Sequence, residues 1–120
     1  LDLDLMQQGA KILEGKHDFR GFSIEKQKGS AKTSPIKTLK PITFIKSKDL
    51  LTIRFQADGF LYKMVRNLTQ TLLHIGTKKM ALRDCSTILT SKDRRLCPQP
   101  AQAHGLALLT VEYTCNQQVK

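Results

Sequence analysis

The chain has 120 residues, 40% of them apolar, and carries 20 Lys and Arg against 10 Asp and Glu, a formal charge of +10. That length fits one domain with a core of its own, and no apolar run approaches the roughly 20 residues needed to cross a bilayer. Charge of this sign suits an anionic partner such as nucleic acid. Cys85, Cys97 and Cys115 are odd in number and widely spaced, which argues against a disulfide framework or a zinc site and fits a reducing compartment. His17, His74 and His104 are scattered, so no metal centre is expected. No phosphate-cradling glycine loop is present. The first residue is Leu and not Met, and no signal peptide is visible, so a piece of a longer chain is expected.

In chain order, residues 3–14 read as a helix. Leu5, Gly9, Ile12 and Leu13 share a face, Asp2 or Asp4 can cap the start, and Gly15 suits the stop. Residues 16–22 read as a loop with two aromatic side chains. From Glu25 to Lys40 there are five lysines and one acid with Gly29, Ser30, Ser34 and Pro35 between them, which reads as a mobile basic loop. Such a loop is either a solvated connection or a direct RNA contact. Ile42, Phe44 and Ile45 mark one strand. In the next, Leu51, Ile53, Phe55 and Ala57 alternate with Thr52, Arg54, Gln56 and Asp58, so one face is buried. Ser47-Lys48-Asp49 joins the two as a hairpin.

The longest amphipathic stretch follows. Counting 100° per residue, Leu61, Met64, Val65, Leu68, Leu72 and Ile75 fall in one stripe, the mark of a core-facing helix. Asp58 is the expected N-cap and Gly76 the expected end. Arg66 lies on the flank of the stripe, one turn after Tyr62, where a guanidinium requires an anion from the protein or from a ligand. A shorter helix covers residues 81–90, with Leu82, Cys85, Ile88 and Leu89 inward. Lys92-Asp93-Arg94-Arg95 is a charged exit and Pro98 and Pro100 mark an irregular link. Residues 106–113 are apolar on both faces and read as an interior strand. The expected architecture is α+β, a mostly antiparallel sheet with helices packed on one face.

Four ordered segments carry a resemblance. They are Gly15-Lys16-His17-Asp18-Phe19-Arg20, then Ala57-Asp58-Gly59-Phe60-Leu61-Tyr62-Lys63-Met64-Val65-Arg66-Asn67, then Lys92-Asp93-Arg94-Arg95, and Ala103-His104-Gly105-Leu106 leading to Val111-Glu112-Tyr113. In their order and spacing the chain resembles the C-terminal domain of the tRNA pseudouridine synthase A (TruA-type) family, from Leu3 to Tyr113. The resemblance implies a pseudouridine synthase-like fold. It also implies conversion of uridine to pseudouridine in the tRNA anticodon stem-loop, without metal or organic cofactor. The implied partners are tRNA, a second copy of the chain and the N-terminal domain of the same enzyme, with no membrane. The implied setting is cytoplasmic, or organellar or nuclear in a eukaryote.

In that family an aspartate attacks the flipped uridine, and the base detaches, turns and reattaches through carbon. Arg66 matches the arginine that pairs with this aspartate. Arg20, Phe60, Tyr62, Lys63 and Asn67 are the candidate RNA-binding residues. Aromatic rings can stack on a flipped base, although the residues by themselves favour reading Phe60 and Tyr62 as ordinary helix-to-core side chains. The family places its aspartate in a Gly-Arg-Thr-Asp-Ala-Gly context in the preceding domain. No such segment occurs in these 120 residues, so the fragment alone is expected to be inactive. Gln70 and Ala107 depart from the residues common in relatives. The competing readings are a non-catalytic RNA-binding module and a catalytically dead dimerisation domain.

Overall fold

A computed structural model describes residues 2–23, 34–98 and 108–115. Helix α1 (Leu3–Leu13) begins where the Asp2 side chain accepts from the Leu5 N–H at 3.1 Å. Asp2, and not Asp4, is therefore the cap. Its buried face is Met6, Gly9, Ala10 and Leu13. This is rotated about one position from the expected stripe, so Leu5 and Ile12 sit half-buried on its margin. Glu14 ends the helix in extended geometry.

Two strands lie where loops were expected. Strand β1 (Gly15–Asp18) pairs antiparallel with β2 (Ile36–Leu39), with Gly15 opposite Leu39 and Asp18 opposite Ile36. Neither strand has a clean apolar alternation. Lysines and other polar residues fill five of their eight positions, and the pairing itself holds them in place. The lower part of the expected basic loop, residues 24–33, lies outside the described residues. A single 3-10 turn (Arg20–Phe22) follows β1, and Phe19 just before it and Phe22 at its end are fully buried.

Strands β3 (Thr43–Ser47) and β4 (Leu50–Ala57) form the expected antiparallel hairpin. Ser47 faces Leu50, and Lys48 takes up φ +53° in the two-residue turn, the backbone sense such a turn demands. The alternation in β4 is realised: Leu51, Ile53, Phe55 and Ala57 are all fully buried. Thr52 departs from the polar set and is buried at 8% exposure. Burying each large apolar side chain contributes about 1.5–3 kcal/mol. β4 is the centre of the sheet. β3 and then β2, through Leu39 opposite Ala57, follow one edge of it, and β5 (Leu108–Cys115) runs parallel along the other, Leu50 opposite Leu108 through Ala57 opposite Cys115.

β5 therefore does not have the expected interior position. Among the described residues it pairs with β4 only, and Thr110, Glu112, Tyr113 and Thr114 are exposed. Val111 is half-buried. The remaining pairings are antiparallel, so the sheet is mixed but mostly antiparallel.

Helix α2 (Met64–Gly76) starts later than the hydrophobic stripe implies. Asp58 is not its cap. The Asp58 carboxylate instead accepts from the Thr38 N–H at 2.9 Å and ties β2 to the end of β4. Lys63 takes the left-handed conformation (φ +64°), which interrupts any helix running from Gly59. Met64, Leu68, Leu72 and Ile75 are buried as the stripe requires. Leu61 keeps its angular place only by packing partly against the core from the turn before the helix. Helix α3 (Leu82–Ser91) buries Cys85, Ile88 and Leu89, and its start is held by the Asp84 carboxylate accepting from the Ala81 N–H at 3.0 Å. α1 packs against both α2 and α3. All three helices belong to one layer over the face of β4 that presents Leu51, Ile53 and Phe55. A second 3-10 turn (Arg94–Leu96) is capped by Asp93, whose carboxylate is held below its usual range by hydrogen bonds from Arg95.

Candidate functional site

The segment Phe60–Lys63 climbs from the end of β4 to the start of α2. Its residues line a groove of about 640 Å³ together with α2 as far as Leu73 and the middle of β5. One wall carries Phe60, Leu61, Tyr62 and Lys63. The other is built by Val65, Arg66, Thr69, Gln70 and Leu73 from α2 and by Val111 and Tyr113 from β5. The groove is mainly apolar, with a few polar groups converging on it, the usual character of a ligand site.

The local chemistry explains the shape. The Leu61 N–H is directed at the Met64 sulfur at 3.4 Å, and the Met64 N–H bonds the Leu61 carbonyl at 3.0 Å. This tight turn throws Tyr62 outward, where it is 47% exposed, with the Lys63 ammonium 5.5 Å from its ring centre. Phe60 meets Tyr113 edge-to-face at 5.6 Å between ring centres, a favoured aromatic geometry. Tyr113 is itself 63% exposed and stands at the mouth.

Arg66 occupies the first turn of α2 and is exposed on the groove side. No acidic residue lies in that turn and no side chain caps it. The helix N-terminus carries partial positive charge and favours anions, so Lys63 and Arg66 there make an electropositive end to an apolar groove. A guanidinium is the side chain suited to taking a carboxylate through two parallel bonds.

Of the sequence-derived candidates, Phe60, Tyr62, Lys63 and Arg66 are brought together here. Tyr62 reaches the groove from the turn and not from one helical turn before Arg66. Asn67 points elsewhere: its Nδ2 donates to the Phe22 carbonyl at 2.9 Å and ties α2 to the first 3-10 turn. Arg20 is also absent from the groove lining, and its guanidinium pairs with Asp18 at 3.1 Å. Its neighbour Phe19 is a core residue. Val111 and Tyr113 escaped sequence reasoning, because nothing local signals that β5 returns parallel to β4 and alongside α2. Among the described residues no three His, Cys, Asp or Glu side chains are grouped to hold a metal ion. No helix of these residues is long and apolar enough to cross a membrane.

The comparisons with known proteins converge. The sequence profile of the family described as tRNA pseudouridine synthase matches residues 10–114. A protein named tRNA pseudouridine synthase A from Clostridium kluyveri is 38% identical over 113 residues, covering 94% of this chain and 45% of the relative. Proteins with the same name from Streptococcus pneumoniae are 37% identical over 115 residues, with the same coverage of both chains. One named tRNA pseudouridine synthase A 1 from Protochlamydia amoebophila is 34% identical over 113 residues, 94% of this chain and 44% of its own. The chain thus spans a little under half the length of these relatives. A profile match over most of its length, joined to a mixed sheet under a layer of three helices, makes the chain a member of the tRNA pseudouridine synthase family.

Proposed function

We infer that this chain is the C-terminal half of an enzyme that isomerises uridine to pseudouridine in the anticodon stem-loop of tRNA. The nucleophilic aspartate comes from an upstream domain of the same polypeptide, and the fragment alone is inactive. The observation that carries this reading is the position of Arg66. It stands at the positive end of α2, beside a groove walled by Phe60, Tyr62 and Tyr113. The groove suits a flipped base, since aromatic and apolar side chains stack on every base. The guanidinium suits the attacking carboxylate, which it keeps ionised and fixed in direction.

The rest of the assignment follows the same logic. The +10 charge draws tRNA to the surface. With ~4–6 phosphate contacts, log K for tRNA would fall against log [salt] with a slope of roughly −3 to −5. Lys63 sits at the groove rim for a phosphate, and Arg20 and Asn67 serve the RNA path only indirectly, through the turn they brace. A homodimer in the cytoplasm is the working assembly, with no cofactor or metal required.

The test restores the upstream half and compares the intact polypeptide with its Arg66→Ala variant. The expected result is isomerisation reduced by at least ~100-fold, the scale lost when one catalytic charge partner is removed, while tRNA binding stays within about threefold. Binding and activity falling together would make Arg66 an RNA contact. Activity that persists would point instead to a non-catalytic RNA-binding or dimerisation domain.

A further inference from the structure

Gly59 is buried in the turn between β4 and the groove, and the side chain of Lys37 lies across it. A Cβ placed on Gly59 would stand 3.0 Å from Lys37 Nζ and 3.5 Å from its Cδ and Cε. Only glycine leaves this seat open without moving the lysine. The seat is held from both sides of the backbone. The Thr38 N–H donates to the Asp58 carboxylate at 2.9 Å, and the Asp58 N–H reaches the Thr38 carbonyl at 3.4 Å. Lys37 lies two residues from Leu39, which is buried opposite Ala57, so it shares the sheet face that carries the helices and the groove. The next residue after Gly59 is Phe60, whose ring meets Tyr113 at the groove mouth.

Arg20, Arg54 and Arg95 each pair with a carboxylate. Among the described residues no ion pair engages Lys37. A half-buried cation lying over the glycine that precedes Phe60, next to an apolar groove, suits a nucleotide: phosphate on the ammonium, base against the aromatic side chains that line the groove.

We propose that Lys37 binds the backbone phosphate of the nucleotide strand that delivers its base to the groove, and that Gly59 exists in this form to seat it. This rests on the tRNA-isomerase reading above and adds a specific positioning contact to it. Lys37 does not touch the reacting atoms. Its part is to fix the strand so that the base enters at the right depth, which is a contribution to binding and not to the chemical step.

The test uses the polypeptide with its upstream half, unmodified tRNA, and salt titrations of binding beside steady-state kinetics. Lys37→Gln is expected to reduce the salt slope by about 1 and to raise KM roughly threefold to tenfold with kcat unchanged. Lys37→Arg restores both. Gly59→Ala, which keeps the charge but displaces it, reproduces the loss, and adding it to Lys37→Gln lowers binding no further. Lys48→Gln, the same charge change in the β3–β4 turn, leaves the slope as it was. An unchanged slope and KM in Lys37→Gln would overturn the proposal, as would a fall in kcat alone. Failure of the underlying reading looks different: Arg66→Ala would keep full activity while the Lys37 slope effect persisted.

Discussion

Asn67 Nδ2 donates to the main-chain carbonyl of Phe22 at 2.9 Å, and this bond joins the first turn of α2 to a 3-10 turn 45 residues earlier in the chain. Phe22 is fully buried, so its carbonyl has little water to fall back on. Arg66 is the adjacent residue, and the helix turn that presents it to the groove is fixed by this cross-link.

Asn67→Ala removes the donor and leaves a half-buried acceptor without it, at an expected cost of about 1–3 kcal/mol. Asn67→Asp is expected to be worse, because a carboxylate would face a carbonyl. Chemical denaturation of both variants, read as a shift in midpoint at constant slope, checks the order.

Gly21 lies where α3 comes closest to the first 3-10 turn. A Cβ there would stand 2.6 Å from the Ile88 carbonyl oxygen, which is backbone and cannot swing aside. Gly21→Ala should therefore cost about 1–3 kcal/mol and lower Tm accordingly. A Tm equal to that of the parent chain would mean that α3 moves freely at this contact.

Burial, with a smaller push from Cys97, raises the Cys85 thiol to about 12. The folded state thus keeps its proton through a range in which the unfolded chain, near 9.0, gives it up. The unfolded state binds fewer protons there, so stability is flat below about pH 9 and falls between 9 and 12, by up to ~1.4 kcal/mol per pH unit. Cys85→Ala is expected to flatten that part of the pH profile, apart from what Cys97 adds, since burial also raises its thiol. The same burial predicts that alkylating reagents near neutral pH leave Cys85 unmodified until the protein unfolds.

The Arg54–Glu112 pair joins the facing strands β4 and β5 at 2.8 Å, but both side chains are nearly half exposed. Screening and the cost of ordering two long side chains leave such a pair with about 0–1 kcal/mol. Glu112→Gln should shift Tm little, and less still in high salt.

Tyr113 is exposed at the groove mouth and meets only the edge of Phe60 among the ring contacts described. Tyr113→Ala should lose no more than ~1.5 kcal/mol of stability. On the isomerase reading it weakens base binding by about 1–3 kcal/mol, the scale of one stacked ring. Stability and tRNA affinity measured on the same variant separate the two effects.

Much of this was legible in the residues, and the misses have physical causes. The strict alternation in β4 and the six-residue apolar stripe from Leu61 to Ile75 are local signals, and the strand and the body of the helix lie where they pointed. The start of α2 was misplaced because Leu61 has the right angular position, while Lys63 interrupts the helix through its left-handed backbone, which leaves no trace in a hydrophobicity pattern. Strands β1 and β2 are carried by partners: Lys16, Thr38 and Lys37 look like loop residues until they are paired. Phe60, Tyr62, Lys63 and Arg66 were singled out as candidates together because they fall within one seven-residue segment. Tyr113 was not, since its place depends on pairing with a strand 58 residues away.

That distance bears on how the protein is made. β5 supplies one wall of the groove, yet the strand it runs beside is completed at Ala57. On the ribosome, β4 and the helix layer would emerge well before their last partner, leaving one long border of β4 without hydrogen bonds for the time of translating half the domain. The nascent chain would carry a sticky seam until its final strand arrives, and the pocket for a base could not exist before that moment.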